Sequence, residues 1–198
     1  MYVGDTNGVF YAMDVSSEKI LWRFQAENEG FSPSVAIDKK VVFGSVAFRD
    51  DGTNWVYALN AMTGELIWKI TSSGRVVRAP VVNSRSVYFA ATHHELDCVD
   101  SETGELKWKI RPAMAISSGL LIANGLLLWG SSDGGVIAVD VADGGERWKF
   151  KTKGSVRATP IHEGGVVFVG SLTGYFYAID ANTGKQKWRA KADGTKAK

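Results

Sequence analysis

Apolar residues come along this chain in short runs, often alternating with polar ones, and polar Gly-bearing turns separate the runs. No stretch sustains the 3.6-residue spacing of an amphipathic helix, so the pattern predicts a nearly all-β chain. The C-terminal stretch reads most plainly. Thr159-Pro160-Ile161-His162 opens a strand, and Glu163-Gly164-Gly165 turns. Residues 166–170 form a second strand, Ser171-Leu172-Thr173-Gly174 turns, and residues 175–180 form a third. Asn182-Thr183-Gly184 turns again into a fourth strand at 185–190. Four short strands joined by tight turns make a meander.

The same meander recurs. Third strands carry Tyr11-Ala12-Met13-Asp14, Tyr57-Ala58-Leu59-Asn60, Asp97-Cys98-Val99-Asp100, Ile137-Ala138-Val139-Asp140 and Tyr177-Ala178-Ile179-Asp180. Eight residues after each Asp or Asn stands Trp22, Trp68, Trp108, Trp148 or Trp188, at intervals of 46, 40, 40 and 40. A fixed period near 40 marks one supersecondary unit repeated. Second strands end at Gly4, Gly44, Ala90, Gly130 and Gly170, so the six extra residues make 46–55 an enlarged turn. The expected units are approximately 1–29, 30–75, 76–115, 116–155 and 156–198. Together they form a single propeller domain or a partial propeller. Repeated four-stranded antiparallel units of this length predict the blades of a β-propeller, about five of them, the first incomplete.

The recurring residues have a structural account. Each Asp or Asn precedes a turn and can accept local backbone N–H bonds. The turn Gly supplies positive φ at low cost. A Trp buries on the order of 150–250 Å², which a thin sheet needs to adhere to its neighbour. Ala in the middle of the third strand lets sheets approach closely. Residues that recur for architecture are poor pointers to chemistry.

Composition adds bounds. The 198 residues are 45% hydrophobic and 22% charged, ordinary for one folded domain with a sizeable core. A net charge of +2 carries no nucleic-acid signal, and no apolar run approaches the ~18 residues of a membrane span. Cys98 is the only cysteine, which excludes an internal disulfide and a cysteine-rich zinc site. The start at Met1 reads as strand, with no basic segment followed by an apolar one.

The stretch from Tyr177 to Trp188, Tyr-Ala-x-Asp-x-x-Thr-Gly-x-x-x-Trp, resembles the repeat of the quinoprotein (PQQ-like) propellers. The resemblance covers essentially the whole chain. Three units depart from it: Ser17-Glu18 replaces Thr-Gly, Asp97-Cys98 replaces Tyr-Ala, and Asp143-Gly144-Gly145 fills the fourth turn. The resemblance implies that Trp22, Trp68, Trp108, Trp148 and Trp188 dock adjacent blades. Some family members are eight-bladed dehydrogenases holding pyrroloquinoline quinone and calcium. Others keep the propeller without the cofactor, among them an outer-membrane assembly lipoprotein and sensor domains attached to kinases. The family leans towards the periplasm or cell surface. Eight blades at this period need roughly 320 residues. The chain is therefore expected to be a fragment of a longer propeller, a closed five-bladed ring, or a protomer that joins copies through open blade edges.

Candidate sites lie at the ends of the first strands, in Gly30-Phe31-Ser32, Val76-Val77-Arg78, Ile116-Ser117-Ser118 and Val156-Arg157-Ala158. Arg78 and Arg157 read as equivalent places two blades apart, with Arg75 and Lys153 nearby; converging guanidiniums suit a carboxylate, a phosphate or an acidic loop. Ser32 and Ser117 occupy the aligned positions. His93-His94-Glu95 with Asp97 has metal-ligating residue types, but His94 stands at a turn-Gly place and a turn variant accounts for it. Arg49-Asp50-Asp51-Gly52-Thr53-Asn54 lacks an EF-hand's spacing and reads as a hairpin tip. Trp55 beside it is a candidate partner contact or a cross-strand packing residue.

These observations point to a noncatalytic propeller that binds or scaffolds a protein or a small anionic ligand, with no catalytic residue and no metal. The alternatives are part of a PQQ- and calcium-dependent dehydrogenase, and a ligand-sensing domain of a larger receptor or kinase.

Overall fold

In the computed structural model, residues 1–26, 30–31, 35–37, 39–46, 53–83, 85–92 and 94–193 are described, with 35–37 and 45–46 by backbone alone. Five antiparallel sheets follow one another in chain order. The first holds β1 (Tyr2–Gly4), β2 (Val9–Asp14) and β3 (Lys19–Gln25). The second holds β4 (Gly30–Phe31), β5 (Val35–Ile37), β6 (Lys40–Val46), β7 (Asn54–Asn60) and β8 (Leu66–Ser72), in the order β4-β6-β7-β8 with β5 also paired to β6. The third comprises β9 (Val81–Asn83), β10 (Ser86–Ala91), β11 (Glu95–Asp100) and β12 (Leu106–Ile110). The fourth comprises β13 (Leu121–Ala123), β14 (Leu126–Gly130), β15 (Gly135–Asp140) and β16 (Glu146–Lys151). The fifth comprises β17 (Ile161–Glu163), β18 (Val166–Ser171), β19 (Tyr175–Asp180) and β20 (Gln186–Lys191). Each of these three sheets runs in sequence order. This is the all-β architecture of four-stranded antiparallel propeller blades.

The strands expected in the last unit fall on β17 to β20, with ends shifted by one or two residues. The enlarged turn is shorter than expected. β6 runs through Val46 because Gly30 pairs with it, and β7 starts at Asn54. Asn54 and Trp55 are thus strand residues, while residues 47–52 lie outside the described ones.

The chain forms two compact units, Met1–Lys109 and Ile110–Lys198. In the first, Phe10, Ala12 and Trp22 of the first sheet pack with Val41, Phe43, Tyr57 and Leu59 of the second. The opposite face of the second sheet joins Val56, Ala58 and Trp68 to Val87, Phe89 and Val99 of the third. In the second unit, Leu126, Leu128, Val136, Ala138 and Trp148 pack with Val167, Val169, Tyr177 and Ile179. Alternation along each strand produces these two-faced sheets, since successive side chains point to opposite sides.

A β-bulge recurs beside the tryptophans. Ala12 pairs with Trp22, Ala58 with Trp68, Ala138 with Trp148 and Ala178 with Trp188, and the register shifts immediately after each Ala. The small Ala leaves room for the indole across the ladder. The bulge inserts one residue, such as the exposed Leu21, and so turns the next side chain outward.

Candidate functional site

The turn after each third strand is held by its acid or amide. The carboxamide oxygen of Asn60 accepts the Met62 N–H at 2.9 Å, and a carboxylate oxygen of Asp100 accepts the Glu102 N–H at 2.8 Å. Asp14, Asp140 and Asp180 take the same bond from Ser16, Ala142 and Asn182. These bonds hold the carboxylates ionised. Asp14 falls to about 2, first through the Ser16 hydroxyl, and Asp100 falls to about 2, first through Lys107. Asp140 and Asp180 are lowered too, chiefly by the Ala142 N–H and the Thr183 hydroxyl.

Onto these turns the indoles reach. Trp22 Nε1 donates to Ala61 O at 3.0 Å, Trp68 Nε1 to Ser101 O at 3.1 Å, and Trp148 Nε1 to Ala181 O at 3.0 Å. Each ring also covers a turn glycine. A methyl at Gly64 would come within 2.6 Å of the Trp22 ring, and one at Gly184 within 2.7 Å of Trp148. Both glycines have positive φ, 76° and 69°, so conformation and close approach demand glycine together. Trp108 is half-buried and meets Tyr88 with ring centroids 5.7 Å apart. Trp188 is 48% exposed and touches Phe168.

The segments leading into β9, β13 and β17 are each pinned by a backbone contact. Val76 bridges to Ala91 and Ile116 to Ser131, while the Val156 N–H donates to Ser131 O at 3.3 Å. Val76 and Val156 are fully buried. This register corrects one expectation. Arg78 stands two residues beyond its anchor Val76, and Arg157 one residue beyond Val156, so the two arginines do not occupy equivalent places. Their spacing of 79 residues misses two periods by one, and one residue reverses direction along an extended backbone. Both are exposed, each in its own unit.

The other candidates are placed as follows. Arg75 O accepts the Thr92 N–H at 2.9 Å, and the Arg75 N–H donates to Thr92 Oγ1 at 2.9 Å. The Ser117 hydroxyl lies 2.7 Å from Val156 O and 3.1 Å from Gly130 O, which engages it within the fold. Trp55 packs half-buried against the first core, with the Lys69 ammonium 4.1 Å above its ring. The Lys153 ammonium lies over Tyr175 at 4.9 Å. Ser32 and His93 lie outside the described residues.

The third blade holds a charged cluster whose cation the sequence reading missed. Glu95 and Asp97 are 2% and 4% exposed, and Lys109 Nζ lies 3.0 Å from Glu95 and 3.5 Å from Asp97. The Ser73 hydroxyl also donates to Glu95. Burial pushes the Asp97 carboxyl up against the pull of Lys109, and one of its oxygens accepts no hydrogen bond among the described residues. Lys109 is raised in turn, first by Glu95. Alternation across β11 and β12 is the signal that could have found the cluster: a Lys on the strand next to two acids on one face. His94 stands exposed in the turn with φ 61°, and the ammonium that meets the two acids is that of Lys109.

Among the described residues, no three His, Cys, Asp or Glu side chains come together as a donor set for a metal ion. Cys98 is buried and free.

Sheets of this kind, with loops displayed on pinned ends, define a β-propeller protein of the PQQ-like repeat class. A family model described as outer membrane protein assembly factor BamB matches residues 5–112 and again 92–198, and the chain belongs to that family. BamB from Moraxella catarrhalis is similar in fold, with a TM-score of 0.80 at 18% identity over 96% of this chain and 58% of that one. The computationally designed Ika8 protein gives 0.81 at 18% identity, covering 99% of this chain and 59% of the design. Quinohemoprotein alcohol dehydrogenase ADHIIG from Pseudomonas putida HK5 gives 0.70 at 17% identity, covering 96% and 40%. The chain therefore spans less than two thirds of each of these structures. None of the curated proteins matches it in sequence.

Proposed function

We propose that the chain is a noncatalytic binding or scaffolding module for a protein partner or a small anion, working in the periplasm or at the cell surface. The observation that carries this reading is the set of buried anchors, Val76 and Val156, which fix loops bearing the exposed Arg78 and Arg157. A loop held on a rigid sheet loses little entropy on binding, and exposed guanidiniums select acidic groups. Family membership supports a protein partner, since the matching model is described as an assembly factor. Trp22, Trp68, Trp108, Trp148 and Trp188 are read as docking residues that keep the scaffold rigid.

The test is fluorescence anisotropy with a labelled hexaglutamate peptide. Arg78→Glu and Arg157→Glu, singly and together, should weaken binding about tenfold or more with unchanged thermal unfolding. Unchanged binding by the double variant overturns the reading. The similarity of fold to an alcohol dehydrogenase supports a second reading as part of a quinoprotein. A saturable change in Trp fluorescence on adding pyrroloquinoline quinone with Ca²⁺ would favour it.

A further inference from the structure

The second unit holds a cavity of about 210 Å³ that none of the preceding contacts uses. Its wall follows from the pleat of the fourth sheet. Leu126 and Leu128 of β14 point into the core shared with the fifth sheet, so Trp129 lies on the other face. Ile137 of β15 pairs with Trp129, and Lys149 of β16 pairs with Ile137. One row across three strands thus offers an indole, an aliphatic chain and an ammonium. Val139 extends the apolar side, and Met114 faces it from the segment after β12.

Charge and polarity on this wall are uneven. The ammonium of Lys149 and the carboxylate of Glu146 both line it. Lys149 Nζ is 3.9 Å from Asp133, which Lys151 already holds at 2.9 Å, so Lys149 is only loosely engaged. Trp129 is buried, and its indole N–H has no acceptor among the described residues. A buried donor without a partner is rare and costly. At this volume the cavity is below the roughly 300 Å³ floor of drug-sized sites, which suits a fragment-sized ligand.

We propose that this cavity binds a small carboxylate with an aromatic or branched apolar body. The body lies against Trp129, Ile137, Val139 and Met114. The carboxylate meets Lys149, the loosely engaged cation on the same row as Trp129. The site rests on the reading of the chain as a binding module but uses a different surface from Arg78 and Arg157.

Phenylacetate is the probe, titrated into the full chain with ¹⁵N-labelled tryptophan and followed through the seven indole N–H signals. The Trp129 signal is the one missing in Trp129→Phe. It should move saturably with phenylacetate and stay still with benzylamine. Lys149→Glu should weaken the effect about tenfold or more, leaving the other indole signals in place as proof of folding. A Trp129 signal that ignores phenylacetate, follows benzylamine equally, or keeps its affinity in Lys149→Glu overturns the site. Lys149→Glu should leave hexaglutamate binding unchanged, so loss of this cavity and loss of the arginine surface are read separately.

Discussion

Gly184 and Gly164 share a left-handed backbone but differ in what surrounds them. A methyl at Gly184 would meet the Trp148 ring at 2.7 Å, whereas nothing lies within 4 Å of one at Gly164. Gly164→Ala should therefore cost only the conformational term, about 1 kcal/mol. Gly184→Ala should cost about 2–4 kcal/mol, because either the indole or the turn must give way. Urea denaturation of the two variants side by side checks the difference. Trp148→Ala removes both the ring and the bond to Ala181 O, and about 3–5 kcal/mol is expected. Equal losses for the two glycine variants would contradict a tight indole contact.

The turns and the third blade respond to pH in opposite directions. Asp100 sits at about 2, below its unfolded value, so its contribution is present above the ordinary carboxylate range and is lost as pH falls towards 2. Asp100→Asn should flatten the acid limb of a stability–pH curve. Asp97 is raised by burial, so the folded state holds its proton more tightly than the unfolded chain. Its stabilising contribution is present below the unfolded value and is lost as pH rises through the folded one. Asp97→Asn should accordingly gain on the wild type as pH rises from the acid range towards neutral. Thermal melts across pH check both signs, and parallel curves for Asp97→Asn and wild type would mean that Lys109 fully offsets the buried charge.

For the molecule as a whole, the open question of assembly falls on the last sheet. Ile161, Phe176 and Trp188 are exposed there, at 66%, 53% and 48%. Apolar exposure of this kind and unpaired edge strands favour association between copies. Light scattering over a concentration series should show a mass rising above the 21.5 kDa monomer, and Phe176→Lys should lower that rise. A mass fixed at the monomer value over the whole series would count against association through this sheet.

The repeat itself was legible because the forces that write it are local or periodic. Alternation set the strands, Asp or Asn followed by Gly set the turns, and a 40-residue interval between tryptophans set the blades. Even the left-handed place of His94 could be read by aligning it with a turn glycine. What sequence spacing could not supply was direction. A one-residue offset separates Arg78 from the place equivalent to Arg157, and the bulges beside Trp22, Trp68, Trp148 and Trp188 leave no mark in the residue pattern. The Asp97–Lys109 pair and the Trp129–Ile137–Lys149 row join residues from different strands. Their meeting depends on register and pleat, which hydrogen bonding between distant segments decides. The sequence determined blade, turn and family; the tertiary structure decided which charges are buried together and where a cavity opens, because packing across strands has no signature in a single run of residues.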